Sequence, residues 1–168
     1  MDEKRHMLKH FLAALAYRTQ KALKGAPADF SDFRAAPGLR TPHELLRHMT
    51  SVLGYARTHL IGGTYRPTRL PRFEDEVARF HEMLQALGVE LERGTPFQDT
   101  TSERMLQGPL SDAMTHAGQL AMLRRLAGSP IPPENFIEAD IDSQNLGPNQ
   151  PKPVSPDEHW YPAEKEPG

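Results

Sequence analysis

Phe73-Glu74-Asp75-Glu76-Val77-Ala78-Arg79-Phe80-His81-Glu82-Met83-Leu84-Gln85-Ala86-Leu87-Gly88-Val89-Glu90-Leu91-Glu92-Arg93-Gly94 is the stretch that decides the fold. Its apolar side chains Phe73, Val77, Phe80, Leu84, Leu87 and Leu91 recur every three or four residues, so they form one stripe along a helix. Gly94 ends it. Upstream, Met7, Phe11, Leu12, Leu15, Ala16 and Leu23 predict a helix from about Glu3 to Leu23, stopped by Gly25-Ala26-Pro27. Thr41-Pro42-His43-Glu44 reads as a capping box with proline at the first helical position. The helix it opens carries Leu45, His48, Met49, Val52, Tyr55, Ala56 and His59 on one broad face as far as Gly62-Gly63. A fourth helix opens between Thr100 and Glu103, bends or restarts at Gly108-Pro109, and runs through Leu110, Ala113, Ala117, Leu120 and Leu123 to Ala127-Gly128. No period-two segment rich in β-branched residues competes with these. The expected fold is all-α, an antiparallel four-helix bundle over residues 1–128.

Residues 129–168 hold nine of the 16 prolines and no periodicity, yet include Phe136, Ile137, Ile141, Leu146, Val154, Trp160 and Tyr161. Apolar side chains want burial, so this segment is expected to be an extended strap over the bundle, with 162–168 frayed. It carries eight acids against two basic residues, while residues 1–128 carry 18 basic against 14 acidic, so an acidic tail faces a mildly basic body.

At 168 residues, 38% hydrophobic and 25% charged, the composition is that of an ordinary globular chain. The net charge of −2 and the lack of basic clusters interleaved with aromatics argue against nucleic-acid binding. No apolar run reaches the roughly 20 residues of a membrane helix, and a cytoplasmic location is the default expectation. The chain has no cysteine, which excludes disulfides, thiolate nucleophiles and Cys-based zinc sites and leaves His and carboxylates as metal donors.

Asp112 and His116 stand one turn apart on the fourth helix, followed by Gly118-Gln119-Leu120, and His48 stands on the second. Residues i and i+4 share a helix face, so two neighbouring helices can offer two imidazoles and a carboxylate, a donor set suited to Zn, Ni, Fe or Mn. Three ligands leave coordination positions open. Plainer roles also fit these residues. His48 suits a core-edge histidine beside Leu45 and Val52, Asp112 an acid favoured by a helix start, and His116 a polar residue at a helix seam. Gln119, two turns from Asp112, fits a partner to a ligand, a substrate contact or tail packing. His59 falls roughly 16 Å from His48 along the helix axis, too far to share one ion. His6, His10, His43, His81 and His159 have no partner that spacing supplies. Arg124-Arg125 fits either an anion or acidic-tail contact or the basic last turn of a helix.

With His48 on the second helix and Asp112-Ala113-Met114-Thr115-His116-Ala117-Gly118-Gln119-Leu120 on the fourth, the chain resembles the DinB-like family of metal-binding four-helix bundles over most of residues 5–130. Members typically hold a divalent metal with one His from the second helix and two His, one turn apart, from the fourth. The matching positions here are His48, Asp112 and His116. Two departures stand out: Asp112 replaces an imidazole with a carboxylate, and Ala117 stands where Arg is usual before Gly-Gln-Leu. The first keeps a donor while hardening the site toward Mn, Fe or Zn over Cu. The second bears on recognition of a thiol.

The resemblance implies a small-molecule substrate or a low-molecular-weight thiol as partner, and a homodimer built through helix faces. One function that fits is a metal-dependent enzyme, a thiol-dependent transferase, isomerase or hydrolase, with Tyr55 or a tail carboxylate as candidate base. The others are a non-catalytic metal- or ligand-binding helical module in a stress-related role and a plain helical scaffold.

Overall fold

The computed structural model describes residues 2–157; Met1 and residues 158–168, with His159, Trp160, Tyr161 and the stretch expected to fray, lie outside them. Four long helices form the body: α1 (Glu3–Leu23), α2 (Pro42–Ile61), α3 (Phe73–Arg93) and α5 (Ser111–Leu126), the last preceded by the single-turn α4 (Ser102–Met105). There is no strand among the described residues, only an isolated bridge between Glu134 and Pro156. Among the described residues no helix is long and apolar enough to cross a membrane.

The helix ends form where their capping chemistry lies. Asp2 accepts from the Arg5 amide to start α1, and Thr41 and Glu44 close a reciprocal capping box with Pro42 at N1 of α2. Gly94, at φ 73°, takes the left-handed conformation that ends α3. The carbonyls at the end of α2 find partners in the following chain: the Gln98 amide donates to His59 O at 2.7 Å and its side chain to Leu60 O at 3.1 Å.

Core residues from all four helices meet in one cluster, including Leu12, Leu15, Leu46, Met49, Leu53, Phe80, Leu84, Leu87, Ala113 and Leu120. The expected stripe of α5 is buried, and in α3 Phe80, Leu84, Leu87 and Leu91 are buried while Phe73 and Val77, in the first turns, are half-buried. In α1 Leu12, Leu15, Ala16 and Leu23 are buried as expected, but Leu8 lies inside in place of the exposed Met7, and in α2 Leu46 and Leu53 are buried while Tyr55 points outward.

Each helix has two main neighbours, in the cyclic order α1, α3, α2, α5. The antiparallel packing expected is realised between α1 and α3, where Lys9 meets Glu92, and between α2 and α5. The other neighbours run parallel: the starts of α2 and α3 meet at His43 and Glu76 and their ends at Arg57 and Glu90, while the ends of α1 and α5 meet at Arg124. Residues 62–72 must therefore return along the whole of α2, whose 20 residues span about 30 Å. Gly54 makes that course possible, because a Cβ there would lie 1.9 Å from the Tyr65 ring. Glu76, fully buried, secures the far end of the link by accepting from the Leu70 amide at 2.8 Å and pairing with Arg79.

The described part of the tail, residues 129–157, lies over α1 and α3. Glu134, with no exposed side-chain surface, pairs with Lys21 at 2.6 Å and accepts from Tyr17 at 2.7 Å. Phe136 stacks against Arg18, and Leu146 fills a slot left by Gly88, where a Cβ would meet its Cδ1 at 2.4 Å. The strap is real, but Ile137 and Val154, expected to bury, are 86% and 59% exposed. Polar anchors replace them. Arg124 is not an anion or tail-acid site: it is buried and donates to the carbonyls of Ala22, Lys24, Gly25 and Ser129, tying the ends of α1 and α5 to the start of the tail.

Candidate metal centre

The antiparallel packing of α2 against α5 brings the first half of α2 to the first two turns of α5, which is where His48, Asp112 and His116 meet. The sequence Gly108-Pro109 shapes the approach. Proline has no amide hydrogen and cannot continue the α-helical ladder, and the chain widens into a π turn over Leu106–Leu110 with Gly108 at φ −93°, ψ −105°. The Ser111 amide and hydroxyl both donate to Leu106 O, the hydroxyl at 2.6 Å, which closes the turn and starts α5. Asp112 thus stands in the first turn of α5, with His116 one turn further on the same face.

The three side chains converge. Asp112 Oδ1 lies 3.3 Å from His116 Nε2 and Asp112 Oδ2 lies 3.9 Å from His48 Nε2. The two imidazoles meet edge to face with centroids 4.7 Å apart. One donor atom from each residue lies within 4.8 Å of the others, so the three form a group that could hold a metal ion. A tetrahedral ion with bonds of about 2.0–2.1 Å asks for donor separations of about 3.3–3.4 Å, so one contact already fits and the others need small side-chain rotations. The site is graded in exposure, from His116 at 11% through His48 at 32% to Asp112 at 49% of side-chain surface.

His116 is oriented from behind. Its Nδ1 lies 2.8 Å from Gln119 Oε1, and because a carbonyl oxygen only accepts, Nδ1 carries the proton and Nε2 keeps its lone pair facing the cluster. Gln119, for which the sequence leaves several roles open, makes this hydrogen bond to His116 and also borders the hollow beside that residue. The pKa of His48 is pushed below the usual histidine range by partial burial first, then by the charges of Arg40, His116 and Arg47, against the opposing pull of Asp112. A neutral imidazole is the form that ligates.

Three hollows border the cluster. His48 lines one walled by Arg34, Arg40, Arg47 and Arg66. His116 and Gln119 line a second, with Leu39, Met122, Leu123 and Leu126. Asp112 lines a third, with Tyr55, His59 and Arg104. Tyr55, exposed, borders the same hollow as Asp112 and meets the His59 ring edge to face. His59 itself stays outside the cluster, as its distance along α2 predicts. The tail carboxylates expected as candidate bases do not reach the centre among the described residues: Glu134 is buried against α1, and Asp140 and Asp142 border a hollow with Gln20 and Lys24.

Two histidines without partners in the sequence acquire them. His81 is buried, with Nδ1 2.9 Å from Leu146 O and Nε2 3.3 Å from Gln20 Oε1, and clamps the tail. His43 is buried beside Phe73, 3.8 Å from Glu76. The four arginines were also invisible as a group, since they come from three separate segments that only the fold brings together.

No protein-family model matches the chain, and neither a curated protein nor a solved structure does. Fold and site therefore define this protein by themselves: four packed helices carrying a His/Asp/His group that could hold a metal ion.

Proposed function

We propose that the protein is a DinB-like metal-dependent enzyme whose divalent ion is held by His48 Nε2, His116 Nε2 and a carboxylate oxygen of Asp112. The observation that carries this is the convergence of three donor atoms from two helices, with the deepest imidazole pre-oriented by Gln119. Three protein ligands at a solvent-facing centre leave positions for a partner, the arrangement of catalytic rather than structural sites. When bound there, the ion supplies Lewis-acid chemistry, polarising a substrate oxygen or acidifying a thiol or water near neutral pH. Zn, Mn and Fe fit the mixed imidazole and carboxylate set.

The chain's own groups do the rest. Gln119 holds the His116 tautomer, the arginines around His48 attract negative charge, and Tyr55 offers a hydroxyl on the Asp112 side. The reactions that suit such a centre are thiol transfer, isomerisation and hydrolysis of a small molecule. The exposure of Asp112 favours catalysis over a closed, non-catalytic metal module.

Calorimetric titration of metal-free protein with Zn²⁺ or Mn²⁺ should show one ion per chain in the wild type. His48→Ala and His116→Ala should each weaken it by about 100-fold or more, as loss of one of three ligands implies. Unaltered stoichiometry and affinity in both variants would refute the site. Rates with low-molecular-weight thiols and electrophiles that stay at background with the metal loaded would refute the enzymatic role and leave a binding module.

A further inference from the structure

Beside His48 the surface carries a charge imbalance that the metal centre does not use. Arg34, Arg40, Arg47 and Arg66, from the link before α2, from α2 and from the link after it, wall one hollow of about 530 Å³. A single carboxylate, Glu44, faces them, and it is engaged, accepting from the Thr41 amide at 2.9 Å and pairing with Arg34 at 3.3 Å. Arg40, Arg47 and Arg66 have no carboxylate within ion-pair distance among the described residues. Guanidinium groups gathered without a counter-charge repel one another, and a bound oxyanion relieves that cost while offering bidentate geometry.

The second hollow, of about 520 Å³, shares Gly38, Leu39 and Arg40 with the first and continues past His116 over Leu39, Met122 and Leu126. Met122 and Leu126 are more than half exposed, side by side one turn apart on α5. A basic hollow and an apolar hollow thus adjoin, with His48 bordering one and His116 the other.

We propose that together they form the binding site of a small amphipathic anion: a carboxylate or phosphate group paired by Arg40, Arg47 and Arg66, and an apolar body laid on Leu39, Met122 and Leu126. The site presents such a molecule to the cation between its two halves and so names the substrate class of the proposed enzyme. It rests on that function only for its purpose, since anion binding by the arginines needs no metal.

The test uses the full chain stripped of metal with EDTA and titrated calorimetrically with octanoate, octyl phosphate and the uncharged octanamide. Both anions should bind at one per chain, with octanamide weaker by about tenfold or more. The tighter anion identifies the preferred headgroup. Arg47→Gln combined with Arg66→Gln should weaken the anions by about fivefold or more and leave octanamide unchanged. Raising salt from about 20 to about 300 mM should weaken only the anions. Arg93→Gln, at the remote end of α3, should change nothing. Equal affinities for octanoate and octanamide, or wild-type anion binding by the double variant, would overturn the proposal. Zinc titrations of the same samples separate the two failures: zinc uptake without anion binding sinks this proposal alone, and anion binding without zinc uptake sinks the metal centre alone.

Discussion

At His116 one hydrogen bond decides which nitrogen is free to ligate. Gln119 Oε1 can only accept, so it fixes the proton on Nδ1 and aims the Nε2 lone pair at Asp112 and His48. Gln119 is itself exposed, so Gln119→Ala should fold normally while lowering zinc affinity by about 10–100-fold, read by competition with a chromophoric chelator. Affinity equal to wild type would mean that packing alone orients the ring. At this scale the candidate site was largely legible, because i,i+4 spacing on one helix and a histidine on its neighbour are visible without coordinates. The arginine hollow was not, since its members are up to 32 residues apart (Arg34 to Arg66) and only the two links unite them.

Among the elements, the 62–72 link is the one on which the helix order depends. It lies against α2 only because Gly54 leaves room for the Tyr65 ring. Gly54→Ala brings two opposed effects: helix propensity gains about 1 kcal/mol, while a Cβ built 1.9 Å from the ring forces the link outward. Overpacking of this kind costs about 1–3 kcal/mol, and displaced apolar contacts add to it, so the clash wins. Calorimetry should show the melting temperature of Gly54→Ala falling by several degrees, at about 2–4 °C per kcal/mol for a chain of this size; a rise would show that the link is not held there. Helix existence and caps were readable from Thr41-Pro42-His43-Glu44 and Gly94. Their rotation was less so: in the pairs Met7-Leu8 and Val52-Leu53 both residues are apolar, and packing rather than pattern chose the second. The parallel pairing of α2 with α3 was hidden for a related reason, because periodicity carries no direction and the link's course is set by a glycine contact.

For the whole molecule, the tail and the body are fastened by buried polar contacts, and these respond to pH. Burial lowers the pKa of His81 below the usual histidine value, opposed by its hydrogen bond to the Leu146 carbonyl. With a folded pKa below the unfolded one, the unfolded chain binds more protons as pH falls, so this group's contribution is complete above about pH 6.5 and declines from there toward the folded pKa. Melting temperature of the metal-free protein should therefore drop between about pH 7 and pH 5, with a shallower slope in His81→Gln, which has no imidazole at that position; parallel slopes would show that His81 is not the sensor. Metal acts in the opposite sense. A ligand that binds only the folded state at about 100 times its Kd adds about 2.7 kcal/mol, so saturating zinc should raise the melting temperature and EDTA should reverse the rise.

Anomalous diffraction at the zinc edge from crystals of the loaded protein measures the convergence of the three donors directly. The expected result is one peak per chain, bounded by His48 Nε2, His116 Nε2 and an Asp112 oxygen, each at about 2.0–2.2 Å, with at least one further position open to solvent. A peak elsewhere, for instance at His59, or no peak between α2 and α5 in zinc-saturated crystals, would contradict it.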